Sequence, residues 1–194
     1  LTILSSLAYG MELNLEDIYV EGITRIDSID IEFAKQFGYT IKLLAIGKHS
    51  GDSVEARVHP TMIPSGNMLS NVNGSLNAIS LVGDAVEDTL LYGRGAGMMP
   101  TASAVIGDVV DIVRNLATGI SNRIPGLSFQ EQHIQKIPIK PIDDIRTHYY
   151  FRFSALDRPG VLSKVSGILG DLGISIKTVH QKGRDSKGGV PIVM

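Results

Sequence analysis

Ala102, Val105, Ile106, Val109, Val110, Val113 and Leu116 recur at intervals of three and four. That spacing lines them along one side of an α-helix, with Pro100 at its entrance and Gly119 as its stop. A helix with such a stripe is stable only if the stripe is covered. Covering it contributes about 1.5–3 kcal/mol per large side chain before entropy is counted. The chain is therefore expected to fold in layers, with this helix set against a sheet or against a neighbouring copy.

The approach to that helix is unusual. The run "LYGRGAGMMP" carries Gly93, Gly95 and Gly97 where an extended segment hands over to the helix. Glycines there leave backbone N–H groups pointing outward, and the helix dipole adds positive potential. A flat ring or a phosphate can then approach the backbone closely. The other reading is a tight corner that binds nothing, and the spacing alone does not separate the two. G-x-G-x-G is not the dinucleotide fingerprint G-x-G-x-x-G, and no strand-end acid follows about 20 residues on. A P-loop's Gly-Lys-Ser/Thr is missing as well.

Elsewhere the signals alternate. "LTILSSLAYG" reads as a helix with Leu1, Leu4 and Leu7 on one stripe and Gly10 as its end. No capping residue precedes it, so the chain is expected to begin inside a larger protein. "SIDIEFAKQFGY" reads as a helix capped by Asp27 or Ser28, answered by Glu32 and stopped at Gly38. Residues 40–63 form a hairpin about the polar turn Ser50-Gly51-Asp52-Ser53. Pro60 and Pro64 predict that its second strand leaves the sheet or lies at an edge. Residues 75–93 form a second hairpin turning near Gly83-Asp84. Residues 120–145 hold three of the eight prolines and no clear period, as an extended connector would. The remainder reads β-α-β-β, with "GRDSKGG" as the last turn.

Charge marks a boundary. Residues 1–145 carry 10 basic and 17 acidic side chains, and residues 146–194 carry 8 and 3. A swing from net −7 to net +5 predicts separate domains at 1–119 and 146–194, joined by 120–145. There is no cysteine, which fits a reducing compartment such as the cytoplasm. No apolar run approaches the ~18 residues of a membrane span. The five histidines lack ligand spacing, so no metal is expected. His59, beside a proline, reads as a hydrogen bonder. The basic C-terminal segment and "HYYFRF" raise nucleic acid as a partner, but the RNP1 pattern is missing and a solvated basic face is the better account.

"GRGAGMMPTASAVIGDVVDIV" resembles the C-terminal signature of the homoserine dehydrogenase catalytic domain. "LTILSSLAYG", "VEGITRID", "FAKQFGYTIKLLAIG", "VHPTMI" and "NVNGSLNAISLVGD" agree in order and spacing over residues 1 to about 118. That family reduces aspartate semialdehyde to homoserine with NADPH or NADH, in threonine, methionine and isoleucine synthesis. By the resemblance an N-terminal Rossmann domain comes first. The family's catalytic lysine would then immediately precede Leu1, leaving no catalytic residue in these 194. Lys35, Lys42 and Lys48 are expected to be solvated surface. The resemblance places Gly93, Gly95 and Gly97 against the cofactor near its nicotinamide end, with Ala96 and Thr101 as neighbours. Glu21 and Gly22 would lie near the substrate pocket, or form a plain loop turn. Asn77 reads better as a strand-end hydrogen bonder than as a substrate ligand.

"FSALDRPGVLSKVSGILGDLGISIKTVHQKG" resembles an ACT domain, a β-α-β-β-α-β module that binds amino acids. In "DRPGVL", the N–H groups of Gly160, Val161 and Leu162 at the helix N-terminus would hold a ligand carboxylate and Asp157 its ammonium. The alternative is an ordinary loop with Asp157 as a cap. His180 would end the second strand, facing the region where such modules pair and bind effectors.

The expected architecture is α+β: a mostly antiparallel sheet with helices on one face, then a ferredoxin-like ACT module of which β-α-β-β is seen. The resemblance implies part of an NAD(P)-dependent homoserine dehydrogenase regulated by an amino acid, threonine by analogy, with the piece alone inactive. A homodimer or homotetramer is expected, because hairpins this rich in Ile, Leu and Val need cover. The alternative is an amino-acid-sensing, dimerising module with no catalysis of its own.

Overall fold

A computed structural model describes residues 1–121, 123–156, 158–181 and 189–194. The chain divides into two compact units. One comprises Leu1–Asp27 and Ala34–Ile145, the other Ser28–Phe33 and Arg146–Met194.

In the first unit, α1 (Thr2–Tyr9) ends at Gly10, which is left-handed at φ 60°. A side chain there would meet the Phe129 ring at 2.7 Å, so conformation and space both require glycine. The buried residues of α1 are Ser5 and Ser6, while Leu4 is half exposed. The leucine stripe expected of this helix is thus not its main packing face. Gly47 explains the choice: a Cβ at that position would lie 3.2 Å from Ser5 Oγ and 3.6 Å from the Tyr9 hydroxyl. Helix and strand approach so closely that small side chains must face inward.

β2 (Tyr39–Ser50) and β3 (Ser53–Pro64) pair antiparallel along all twelve residues, from Tyr39 opposite Pro64 to Ser50 opposite Ser53. β1 (Tyr19–Val20) adds in parallel at Arg57 and Val58, giving the order β1-β3-β2. β3 is therefore the central strand, and the prolines do not end it. Pro60 opposes Leu43 of β2 but lies beyond the reach of β1, so that flank is an edge, where proline is tolerated. The core beside this sheet is Met11, Leu13, Ile18, Val54 and Ala56, with Leu1, Tyr9, Val58, Ile137 and Ile139 against it. The proline-rich connector supplies the last two. It runs extended, bridging Met11 at Gln135 and Val54 at Ile139, and the Lys140 N–H donates to the Val54 carbonyl at 2.9 Å.

β4 (Leu76–Gly83) and β5 (Glu87–Arg94) form a two-stranded antiparallel sheet. α3 (Met98–Ala117) follows and has no buried residue. Its apolar stripe is present as predicted but open: Val105, Ile106, Val109, Val113 and Leu116 are between 47% and 67% exposed. Among the described residues, no helix is long and apolar enough to cross a membrane.

The second unit contains β6 (Arg152–Ala155), α4 (Val161–Asp171), β7 (His180–Gln181) and β8 (Val190–Val193). Its antiparallel order is β6-β8-β7, the β-α-β-β module expected. β7 is shorter than "ISIKTVHQK" suggested. It is an edge strand whose register partners are Val193 and Ile192 of β8, and residues without a partner strand form no ladder. The last turn falls mostly on 182–188, outside the described residues. The first six residues of α2 (Ser28–Gln36) also belong to this unit.

Candidate functional site: the glycine corner and the C-terminal module

The glycine corner is built by β5 and α3. Gly93 lies inside β5, opposite Asn77, and a Cβ on it would meet nothing within 4 Å. Gly95 is different: a Cβ there would lie 2.7 Å from the Asn77 amide nitrogen. Gly97 is the N-cap of α3 at φ 123°, ψ 152°, a conformation essentially reserved for glycine. The three glycines thus have three reasons: open space, a crossing amide and a backbone turn. Asn77 is the residue of the facing strand whose side chain lies over Gly95.

Ala96 and Thr101 flank the turn, and both are exposed with the three glycines. The Thr101 N–H closes the first helical bond onto the Gly97 carbonyl at 3.0 Å. Pro100 has no N–H. Of the donors at this helix start, those of Met98 and Met99 precede the first intrahelical bond. No side chain caps the end. The corner is thus an exposed, uncapped N-terminus of a twenty-residue helix, with a glycine-lined approach and two outward backbone donors. A flat ring or an anion fits such a surface, and the open flank of Gly93 leaves room for it.

Glu21 continues the pairing of β1, its N–H donating to the Val58 carbonyl at 2.7 Å. Its carboxylate accepts from the Tyr19 hydroxyl at 3.1 Å, which pushes the Tyr19 phenol above its ordinary range. Gly22 is exposed with open space about it. Lys35 and Lys48 are exposed, but Lys42 is not simple surface. Its ammonium donates to the Val72 carbonyl and, at 2.8 Å, to Asn73 Oδ1, tying β2 to the segment before β4.

Along β3, alternate residues form a polar row. Arg57, 4% exposed, donates to the Glu55 carboxylate and through Nε to His59 Nε2 at 3.0 Å. Nε2 therefore accepts, and the imidazole proton sits on Nδ1, 2.9 Å from the Pro60 carbonyl. His59 is a hydrogen bonder, as its sequence context suggested. The Arg57 guanidinium holds the Glu55 carboxyl below its ordinary range against the opposing effect of burial. Lys140 of the connector approaches Glu55 at 3.8 Å. The spacing Glu55-x-Arg57-x-His59 could have announced this row, since residues two apart share a strand face.

In the second unit, Gly160 is the N-cap of α4 at φ 90°, with space about it. The Val161 N–H turns back toward the Arg158 carbonyl at 3.4 Å, a long bond that leaves it available to a better acceptor. Leu162 lies on the first turn, 39% exposed. Asp157 lies outside the described residues. The His180 ring stands edge-on to the Phe33 ring, centroids 5.6 Å apart. A cluster that sequence reasoning missed lies nearby. Asp30 of α2, 3% exposed, accepts from Arg152 Nε at 2.7 Å, from Arg152 Nη2 at 3.2 Å and from the Tyr150 hydroxyl at 2.8 Å. No local pattern could have revealed it, because the partners are 120 and 122 residues apart.

The second unit's β-α-β-β order and glycine-capped helix define an ACT-type module, and residues 149–194 match the ACT domain family. Residues 1–110 match the homoserine dehydrogenase family, and the chain belongs to that family. It is similar to the homoserine dehydrogenase of Pseudomonas aeruginosa, 45% identical over the whole of this chain and 45% of that protein. With the enzyme of Helicobacter pylori it shares 49% identity over 94% of this chain and 41% of that protein. The crystal structure of a homoserine dehydrogenase from Thiobacillus denitrificans superposes with a TM-score of 0.88 at 43% identity, covering 99% of this chain and 43% of that one. The chain thus spans less than half the length of the relatives it matches.

Proposed function

We propose that these 194 residues are the C-terminal part of an NAD(P)-dependent homoserine dehydrogenase, interconverting L-homoserine and L-aspartate 4-semialdehyde. The observation that carries the reading is the family match over 1–110, whose signature run coincides with the exposed glycine corner. The bound nicotinamide supplies the hydride chemistry. This chain's part is to receive it. Gly93, Gly95 and Gly97 keep side chains off the approach, Met98 and Met99 present backbone donors, and Ala96 and Thr101 border the contact. Glu21 and Gly22 lie on the substrate side. By the family resemblance the catalytic lysine falls immediately before Leu1, so the 194-residue piece alone has no turnover. The working enzyme is cytoplasmic.

In the same reading the segments divide as 1–119 for substrate handling and dimer formation, 120–145 as connector and 146–194 as the regulatory ACT module. L-Threonine is the effector. Gly160, Val161 and Leu162 hold its carboxylate, Asp157 its ammonium, and His180 borders the site. A second copy of the chain covers the β4–β5 sheet. On one of its faces Ile79, Leu81 and Leu91 stand together by register, each at least 37% exposed.

The test pairs two measurements. Homoserine oxidation with NADP or NAD is assayed on the 194-residue chain and on the polypeptide extended upstream to the relatives' length. Activity in the extended protein alone is the expected result, and turnover by the piece itself overturns the placement of the lysine. Calorimetric titration of L-threonine into the chain should give heat that Asp157→Ala abolishes.

A further inference from the structure

Arg152, Val193 and His180 are direct register partners across the three strands β6, β8 and β7. Directly opposed residues point to the same side of a sheet, so these three form one row across one face. Helix α2 meets both ends of that row. Asp30 holds Arg152 through two donors, and Phe33, one turn on, sets its ring against His180. Between them Val193 is 0% exposed, as is Phe33 itself. The other face carries Phe153, Ala155, Val190 and Ile192 by the same register.

The helix that supplies these contacts does not end in this unit. Ser28–Phe33 belong to the ACT unit and Ala34–Gln36 to the first. Gly38 then turns the chain into β2 at φ 78°. Helix formation is cooperative along the chain, so order in the first turns of α2 favours order in the residues that follow them.

We propose that α2 is the output element of the ACT module. Asp30 and Phe33 are positioning residues that clamp it to the sheet face, so that whatever orders the module also orders α2 and the start of β2. The inference rests on the reading of residues 146–194 as an amino-acid-responsive module. The clamp itself is tested without any ligand.

The experiment is hydrogen exchange on the full 194-residue chain, followed separately in α2, in β6–β8 and in the β2–β3 hairpin. Asp30→Asn should speed exchange in α2 and in β6–β8 by a common factor of about tenfold or more, because the two open as one unit. The hairpin's central amides should not change. Tyr150→Phe, which removes one donor and keeps the ion pair, should give the same pattern at smaller size if Asp30→Asn fails to fold. Faster exchange in α2 with β6–β8 unchanged overturns the clamp.

Saturating L-threonine should then slow exchange in α2 of the wild type, and in Asp30→Asn slow only β6–β8. Protection confined to β6–β8 in the wild type overturns α2 as output while leaving the effector reading intact. No protection anywhere, with the joint opening still present in the variants, refutes threonine as effector and supports the clamp.

Discussion

Asp30 and Arg152 are 122 residues apart in sequence, yet the carboxylate of one accepts the guanidinium Nε of the other at 2.7 Å. The carboxylate side is 4% exposed and the guanidinium side 32%. Removing one member leaves the other charge poorly solvated, which costs more than the pair itself is worth. Arg152→Met is expected to destabilise the chain by about 2–4 kcal/mol, read from urea unfolding. The cycle closed with Asp30→Asn should recover part of that loss, and strict additivity would show the contact to be energetically idle.

Tyr150 gives the same cluster a pH signature. Burial, and then the hydrogen bond to Asp30, push its phenol well above the ordinary tyrosine value of 10. The folded state therefore keeps a proton that the unfolded chain releases above pH 10. The stabilisation is complete below that pH and is lost as pH rises toward the folded value. Tyr150→Phe should lose about 1 kcal/mol near neutrality and show a shallower decline between pH 10 and 12. Equal slopes in variant and wild type would contradict this.

At the glycine corner, Gly95→Ala should destabilise because its methyl would sit 2.7 Å from the Asn77 amide. The exposed Asn77 side chain can swing aside, so the loss should stay below about 1 kcal/mol, and Asn77→Ala in the same chain should remove it. Gly97→Ala should cost about 1–3 kcal/mol through its φ of 123°, and Asn77→Ala should leave that loss untouched. Thermal unfolding of the four variants separates crowding from backbone strain.

Much of this was legible from the residues. The hairpin turns at Gly51 and after Gly83, the helix stop at Gly10 and the apolar stripe of α3 all follow from local chemistry. What escaped were facts set by distant partners. Ser5 and Ser6 face inward because Gly47 admits the helix closely. Pro60 sits in the central strand because β1 is too short to reach it. Asp30 looks like an ordinary first-turn acid until Arg152 and Tyr150 arrive from the other end of the chain. Of the corner, the sequence displayed the glycines but not the Asn77 amide that lies over Gly95.

The Glu55–Arg57 pair carries an acid-side prediction. Its folded carboxyl lies below the ordinary carboxylate value, so its stabilisation is present above that value and is lost as pH falls through the folded one. Arg57→Met should move the acid-unfolding midpoint to higher pH, followed by circular dichroism. An unchanged midpoint would mean that the buried pair does not govern acid sensitivity.

The open face of the β4–β5 hairpin predicts association. Leu91→Arg should lower the sedimentation-derived mass toward that of one chain, because a charge placed among Ile79 and Leu81 opposes their burial. A wild-type chain already monomeric at micromolar concentration would remove this use of the hairpin.

That six residues near the start of the chain belong to a unit otherwise formed at its end has a practical consequence for dissection. A clone beginning at Arg146 would take in the whole match to the ACT family, yet it would discard Asp30 and Phe33. Arg152 would lose the carboxylate that accepts from its Nε, and His180 its ring contact with Phe33. The compact unit is discontinuous in sequence, so an excision that keeps the Asp30 and Phe33 contacts must graft the segment 28–33 back onto it.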